Sequence, residues 1–163
     1  SLALAYLIIE QQVSFKAAIA IKKRFIQKVE NLTNDQVIDL DDKDLQSVGI
    51  SFRKAVYIKN VFEYFKNNNY DFVNATNQEV INELTKIKGI GVWSSEMFLM
   101  FVLMRINIFS KGDLALMNSI KINYKIDVKD DYKLNSLVES WSPYKSVASL
   151  LLWKSIEEKY FFS

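Results

Sequence analysis

The chain has 163 residues, half of them apolar and a quarter charged, with a net charge of +2. That profile suits one globular domain or two small lobes, and it is too weakly basic to announce a nucleic-acid binder by charge alone. Cysteine and histidine are both absent, which excludes a disulfide framework, a thiolate zinc site and an iron–sulfur cluster, and leaves any catalysis without the commonest general base. Four glycines and one proline disfavour a turn-rich β-sandwich and favour helices joined by short loops. No apolar run is long and uninterrupted enough to cross a bilayer, and no signal peptide is visible.

Taken in order, the predicted elements are all helices. "LALAYLIIEQQ" carries an apolar face that ends at Glu10. Ser14 is the expected N-cap of "FKAAIAIKKRFIQKV", which places Phe15, Ala18, Ile19, Ile21, Phe25 and Ile26 at helical spacings. Thr33 with Gln36, and Thr76 with Glu79, are capping boxes. Asp41 is expected to cap "DKDLQSV", with Gly49 ending it. Ser51 is expected to cap "FRKAVYIKNVFEYFKNN", with Phe52, Val56, Ile58, Val61, Phe62 and Phe65 toward a core. Val92 to Arg105 is apolar nearly all round and reads as a buried central helix. Asp113 opens "LALMNSIKINY", and Ser142 with Pro143 is expected to start the last helix. The stretches "NNNYDFVNA" and "NYKIDVKDD" read as non-helical.

Two of the four glycines fall in "IKGIGVWSS", between one helical pattern and the next. Glycine permits positive φ and close approach of another chain. The helix that follows presents free N–H groups and the positive end of its dipole, an anion site built from main chain. Lys86 and Lys88 add charge beside it. The same pair of glycines also reads as a tight helix–helix turn that binds nothing. Asp113 by itself reads as a helix cap, and Trp141 as either core or pocket.

The wider segment "LTKIKGIGVWSSEMFLMFVLMRINIFSKGDLAL" resembles the hairpin and catalytic loop of the helix-hairpin-helix (HhH-GPD) DNA glycosylase superfamily, in its 3-methyladenine DNA glycosylase II (AlkA-like) branch. Leu84, Ile87, Gly89, Ile90, Gly91, Trp93, Phe109 and Asp113 carry the match. "IIEQQVSFKAAIAIKKRF", "VGISFRKAVYIKNVFEYF" and "WSPYKSVASLLLW" are similar to three further motifs of that family, in the same order. The resemblance runs from about Ile8 to Trp153. The family's hairpin proline is Lys88 here, its catalytic-loop proline is Ser110 or Lys111, and Met97 stands where some relatives place an aromatic.

The resemblance implies an all-α, two-lobed helical bundle spanning 1–163, without the N-terminal extension of some relatives, and with the helix-hairpin-helix at about 76–105. It implies a glycosylase of base excision repair that flips alkylated purines out of duplex DNA and hydrolyses them. Asp113 is then the catalytic residue, and Trp93, Trp153, Tyr6 and Met97 line the base pocket. Lys86, Lys88, Gly89, Ile90 and Gly91 form the phosphate-binding hairpin, and Gln12 is the wedge that fills the gap left by the flipped nucleotide. A monovalent cation on the carbonyls of Thr85, Ile87 and Ile90 is implied, with no other cofactor. Bifunctional relatives carry a lysine nucleophile where this chain has Trp93, so no lyase step is expected. The partner is damaged double-stranded DNA and not a membrane, and the enzyme is expected to be an intracellular monomer, in the nucleoid of a bacterium or the nucleus of a eukaryote. The other readings are a glycosylase for deaminated or oxidised bases and a non-catalytic DNA-binding module.

Overall fold

A computed structural model describes the backbone of residues 1–161 and the side chains of residues 1–156 apart from Phe15, so the expected inward placement of Phe15 lies outside the described residues. Ten helices, α1 to α10, and no strand occur among the described residues: α1 Leu2–Glu10, α2 Phe15–Val29, α3 Asn34–Asp39, α4 Asp42–Gln46, α5 Phe52–Asn67, α6 Asn77–Leu84, α7 Val92–Phe101, α8 Leu114–Tyr124, α9 Asp131–Glu139 and α10 Lys145–Phe161. They form two compact units, 1–98 and 99–163, with the boundary inside α7.

The first unit is built on α5, against which α1, α3 and α4 pack, while α2 lies on α1. Its core takes Leu4, Ala5, Ile8 and Ile9 from α1 and Ala55, Ile58 and Val61 from α5, all fully buried. Four of the helix starts follow from local chemistry. Ser14, Thr33, Ser51 and Thr76 each accept the N–H three residues on, and both threonines complete a capping box. Asp41 caps α4, and Gly49 follows that helix at φ +103°. Two expected core positions are on the outside: Ile19 and Phe52 are 53% and 58% exposed. Both fall on the edge of an apolar stripe, where spacing alone cannot tell the buried side from its margin.

α7 stops at Phe101, four residues before the expected end. Met104 takes a left-handed φ of +54°, and the Arg105 N–H turns back to the Leu99 carbonyl at 3.0 Å. Val102 and Met104 are exposed. The apolar run therefore contains a chain reversal that hydropathy does not mark.

The second unit has its core in Leu116, Ile120, Leu134, Val138 and Leu152, with Phe109, Trp141 and Trp153 packed against it. Trp141 is thus part of this core, 5.8 Å from the rings of Phe109 and of Tyr124. α9, which the sequence reading passed over, supplies Leu134 and Val138. The last helix begins at Lys145 instead of Pro143, so Ser142 is not its N-cap. The N–H groups of Ser142 and Tyr144 are spent on the turn out of α9, reaching Glu139 and Trp141, and Tyr144 supplies the first helical carbonyl, to Ala148.

Candidate active site

In the first unit the turn between α6 and α7 is a tight hairpin. Thr85 ends α6, with its hydroxyl donating to the Ile81 carbonyl at 2.8 Å. The Ile87 N–H then reaches Leu84, and the Ile90 N–H reaches Ile87, both at 3.0 Å. The next carbonyls are held by side chains. The Asn60 amide donates to Lys88 at 3.1 Å and the Gln11 amide to Gly89 at 3.4 Å. Gly89 sits at φ +109°, and a Cβ there would lie 2.3 Å from Cγ of Tyr57, so only glycine fits. Gly91 differs: its φ lies outside the left-handed region and nothing stands within 4 Å of a Cβ built on it, which corrects the expectation of positive φ at both glycines. It precedes α7 and its carbonyl takes the Ser95 N–H and hydroxyl, each at 3.0 Å. Having no side chain, it adds no bulk of its own at the start of α7.

Lys88 is exposed, whereas Lys86 pairs with Glu83 at 2.6 Å, so the two lysines beside the hairpin are not equivalent. Trp93 is half-buried in the first turn of α7. Met97 is 3% exposed and belongs to the core of this unit. Tyr6 meets Phe25 edge-on at 6.3 Å and carries the Lys22 ammonium over its ring at 5.4 Å.

The turn from α1 to α2 presents Gln12, exposed and at a left-handed φ of +57°. Its neighbour Gln11, which the sequence reading did not single out, points the other way and donates to Ser94 as well as to Gly89. Lys54 reaches in from α5 to the carbonyls of Ile9 (2.9 Å) and Gln11 (2.6 Å). Burial holds its ammonium below the usual lysine range. The doubled glutamine was the available signal, but two adjacent residues in a turn face opposite ways and the motif does not say which is which.

In the second unit Asp113 is 8% exposed and caps α8, its Oδ1 accepting the Leu116 N–H at 2.8 Å. The same oxygen accepts the indole N–H of Trp153 at 3.2 Å. Trp153 in turn stacks on Phe101, with centroids 5.9 Å apart and planes at 28°. The loop leading to Asp113 is fixed by Ser146 on α10. Its N–H donates to Ile106, its hydroxyl donates to Arg105 at 2.6 Å, and that hydroxyl accepts the Ile108 N–H at 3.0 Å. Ser146 lies inside the quoted "WSPYKSVASLLLW" motif but was not recognised as a loop anchor. Leu114, next to Asp113, is 85% exposed.

Residues 5–143 match the HhH-GPD superfamily of base excision DNA repair proteins. The chain belongs to this family. The HhH-GPD chain is 39% identical to a DNA-3-methyladenine glycosidase from Bacillus halodurans, whose crystal structure aligns with a TM-score of 0.79 over 94% of this chain and 74% of that one. The 3-methyladenine DNA glycosylase Mag1 of Schizosaccharomyces pombe, solved in complex with abasic DNA, is 28% identical, with a TM-score of 0.87 over 96% of this chain and 80% of that one. The DNA-3-methyladenine glycosylase of Saccharomyces cerevisiae is 30% identical over 191 residues, which cover 93% of this chain and 64% of that protein. This HhH-GPD chain spans between 56% and 67% of the length of three curated relatives. No helix among the described residues is long and apolar enough to cross a membrane.

Proposed function

We propose that this HhH-GPD protein is a monofunctional DNA glycosylase of base excision repair that hydrolyses alkylated purines of the 3-methyladenine type from duplex DNA, in the manner of an AlkA-like enzyme. The observation that carries the reading is Asp113, a nearly buried carboxylate fixed at the start of α8 by two donors on one oxygen. The relatives named for 3-methyladenine removal supply the substrate class.

The nucleotide must leave the duplex before its glycosidic bond can be reached. The hairpin grips backbone phosphate at the start of α7 beside Gly91, aided by Lys88 and Lys86, with Gly89 and Ile90 holding the turn. Gln12 enters the space the nucleotide leaves. Trp93, Trp153 and Tyr6 offer π-faces to the extruded base, with Met97 supporting from within the core. An alkylated purine is cationic, so those faces attract it beyond ordinary stacking.

The bond from C1′ to the base nitrogen then breaks, and its electron pair leaves with the base, neutralising it. The sugar becomes oxocarbenium-like, and the Asp113 carboxylate stabilises that charge. Water adds to C1′, and Asp113 orients it or accepts its proton. The products are free base and an abasic site. Because Trp93 stands where a lysine nucleophile would be, no Schiff base forms and the strand stays intact.

The chain's own side chains suffice for these steps. The Thr85, Ile87 and Ile90 carbonyls are neutral oxygens. An ion at the hairpin would be a monovalent one held by these three carbonyls, supporting the turn. The protein works intracellularly on damaged double-stranded DNA as a monomer.

The test is release of bases from methylated duplex DNA, read by chromatography, for the wild type and Asp113→Asn. A carboxylate about 3.5 Å from a developing positive charge, at an effective dielectric near 20, is worth roughly 4–5 kcal/mol, about a thousandfold in rate. Asparagine keeps an oxygen for the helix cap but loses the charge. Single-turnover excision is expected to fall about 10²–10⁴-fold, with the melting temperature little changed. Near-normal excision by the variant removes Asp113 from catalysis. A collapse in melting temperature with proportionate loss of activity reduces it to a cap.

A further inference from the structure

Oδ1 of Asp113 accepts from two donors of different origin. The Leu116 N–H belongs to the helix that Asp113 caps, and any capping side chain would satisfy it. The Trp153 indole N–H comes from α10, 40 residues along the chain. An indole nitrogen can only donate, so the polarity of this bond is fixed, and a donor aimed at a carboxylate makes a charge-assisted bond. The ring that carries it is held too, stacked on Phe101 and packed on the Leu116–Leu152 core of its unit.

Neither packing nor stacking requires that N–H. Both draw on the carbon face of the ring, which phenylalanine also presents over a smaller area. The cap bond runs along α8, and a second donor from another helix on the same oxygen narrows the orientations the carboxylate can take. We infer that Trp153 is a positioning residue for Asp113, its Nε1–H setting the carboxylate in its working orientation before DNA arrives. The inference rests on the reading of Asp113 as the acting carboxylate. Such a group has no reorganisation left to make as charge develops on the sugar.

Trp153→Phe keeps an aromatic ring and deletes the donor. A hydrogen bond to a charged group predicts a drop of about 10–100-fold in single-turnover excision at saturating enzyme, beyond any loss of affinity or stability from the smaller ring, which is the same in both backgrounds below. In an Asp113→Asn background the same change is expected to cost less than about twofold, because the charge it orients is gone. Wild-type excision by Trp153→Phe, or an equal loss in both backgrounds, overturns the inference.

A second readout does not depend on activity. The chain has three tryptophans, so Trp153→Phe identifies one of three indole N–H resonances. Asp113→Ser keeps a helix cap but cannot reach the indole, and is expected to shift that resonance and speed its exchange with solvent. An unmoved resonance overturns the bond itself. If the wild type releases no alkylated base, the glycosylase reading fails separately, and the indole signal still decides whether Trp153 holds Asp113.

Discussion

Gly89 and Gly91 stand two residues apart in different surroundings. Gly89 is required by the fold, through its positive φ and the Tyr57 ring against it. Gly91→Ala meets no protein atom, so beyond the small cost of alanine at a helix start any steric cost arises only when something else approaches. Gly89→Ala is therefore expected to lower stability by about 1–3 kcal/mol. Gly91→Ala should leave the melting curve nearly in place and weaken binding to plain and lesion-bearing duplexes alike, by about tenfold. Melting curves and fluorescence anisotropy on the two single variants separate these effects. Intact binding by a normally folded Gly91→Ala protein would remove the phosphate role. The sequence shows both glycines and suggests one reason for both. Only the surroundings of each Cβ position divide them, and those come from α5, remote in the chain. Asp113 is similar: its cap was legible from the residues after it, but its bond to Trp153 was not, because nothing local links α8 to α10.

At the scale of elements, α6 shows how much of the fold is written locally. Thr76 and Glu79 form their capping box as the sequence implied, because both partners lie within one turn. The same contacts make the helix sensitive to acid. The Thr76 hydroxyl and N–H hold Glu79 below the usual carboxylate range, and Lys86 with the Tyr64 hydroxyl does the same for Glu83. A carboxylate with a depressed folded pKa contributes stability above its unfolded value, near 4.3, and loses it as pH falls through the folded value. Stability is expected to decline from about pH 5 downward, and Glu83→Gln should flatten that decline. Melting temperatures for both proteins between pH 6 and 3 check this, and parallel curves would show that Glu83 contributes nothing. Helix ends set by distant groups were less legible. The start of α10 depends on the turn out of α9, and the end of α7 on a backbone reversal at Met104.

For the whole molecule, the absence of histidine and cysteine narrowed the chemistry before any element was placed. Four motifs in order were enough to make the all-helical fold legible, because each is a helix start or a turn whose residues act on one another. If Trp93 occupies the position of a lyase nucleophile, base release must leave the strand uncut. Borohydride added during turnover on alkylated duplex is expected to trap no covalent protein–DNA adduct. A strong trapped band would identify another amine as nucleophile, with Lys111 the first to test by substitution with glutamine.

Gln11 ties the tip of the α1–α2 turn to the hairpin at Gly89 and to Ser94 in α7, and Lys54 clamps the other side of the same turn. With Gln12 as the proposed wedge and the hairpin as the proposed phosphate grip, these bonds brace the two against each other like the jaws of a caliper. On that reading a duplex held at one jaw and pressed by the other meets a braced instrument, and the compliance comes from the DNA. Bending a site of this kind costs on the order of 1–6 kcal/mol, and undamaged, well-stacked duplex resists it most. On that reading a stiff gauge drawn along DNA registers soft spots by mechanics, before any base has reached the carboxylate.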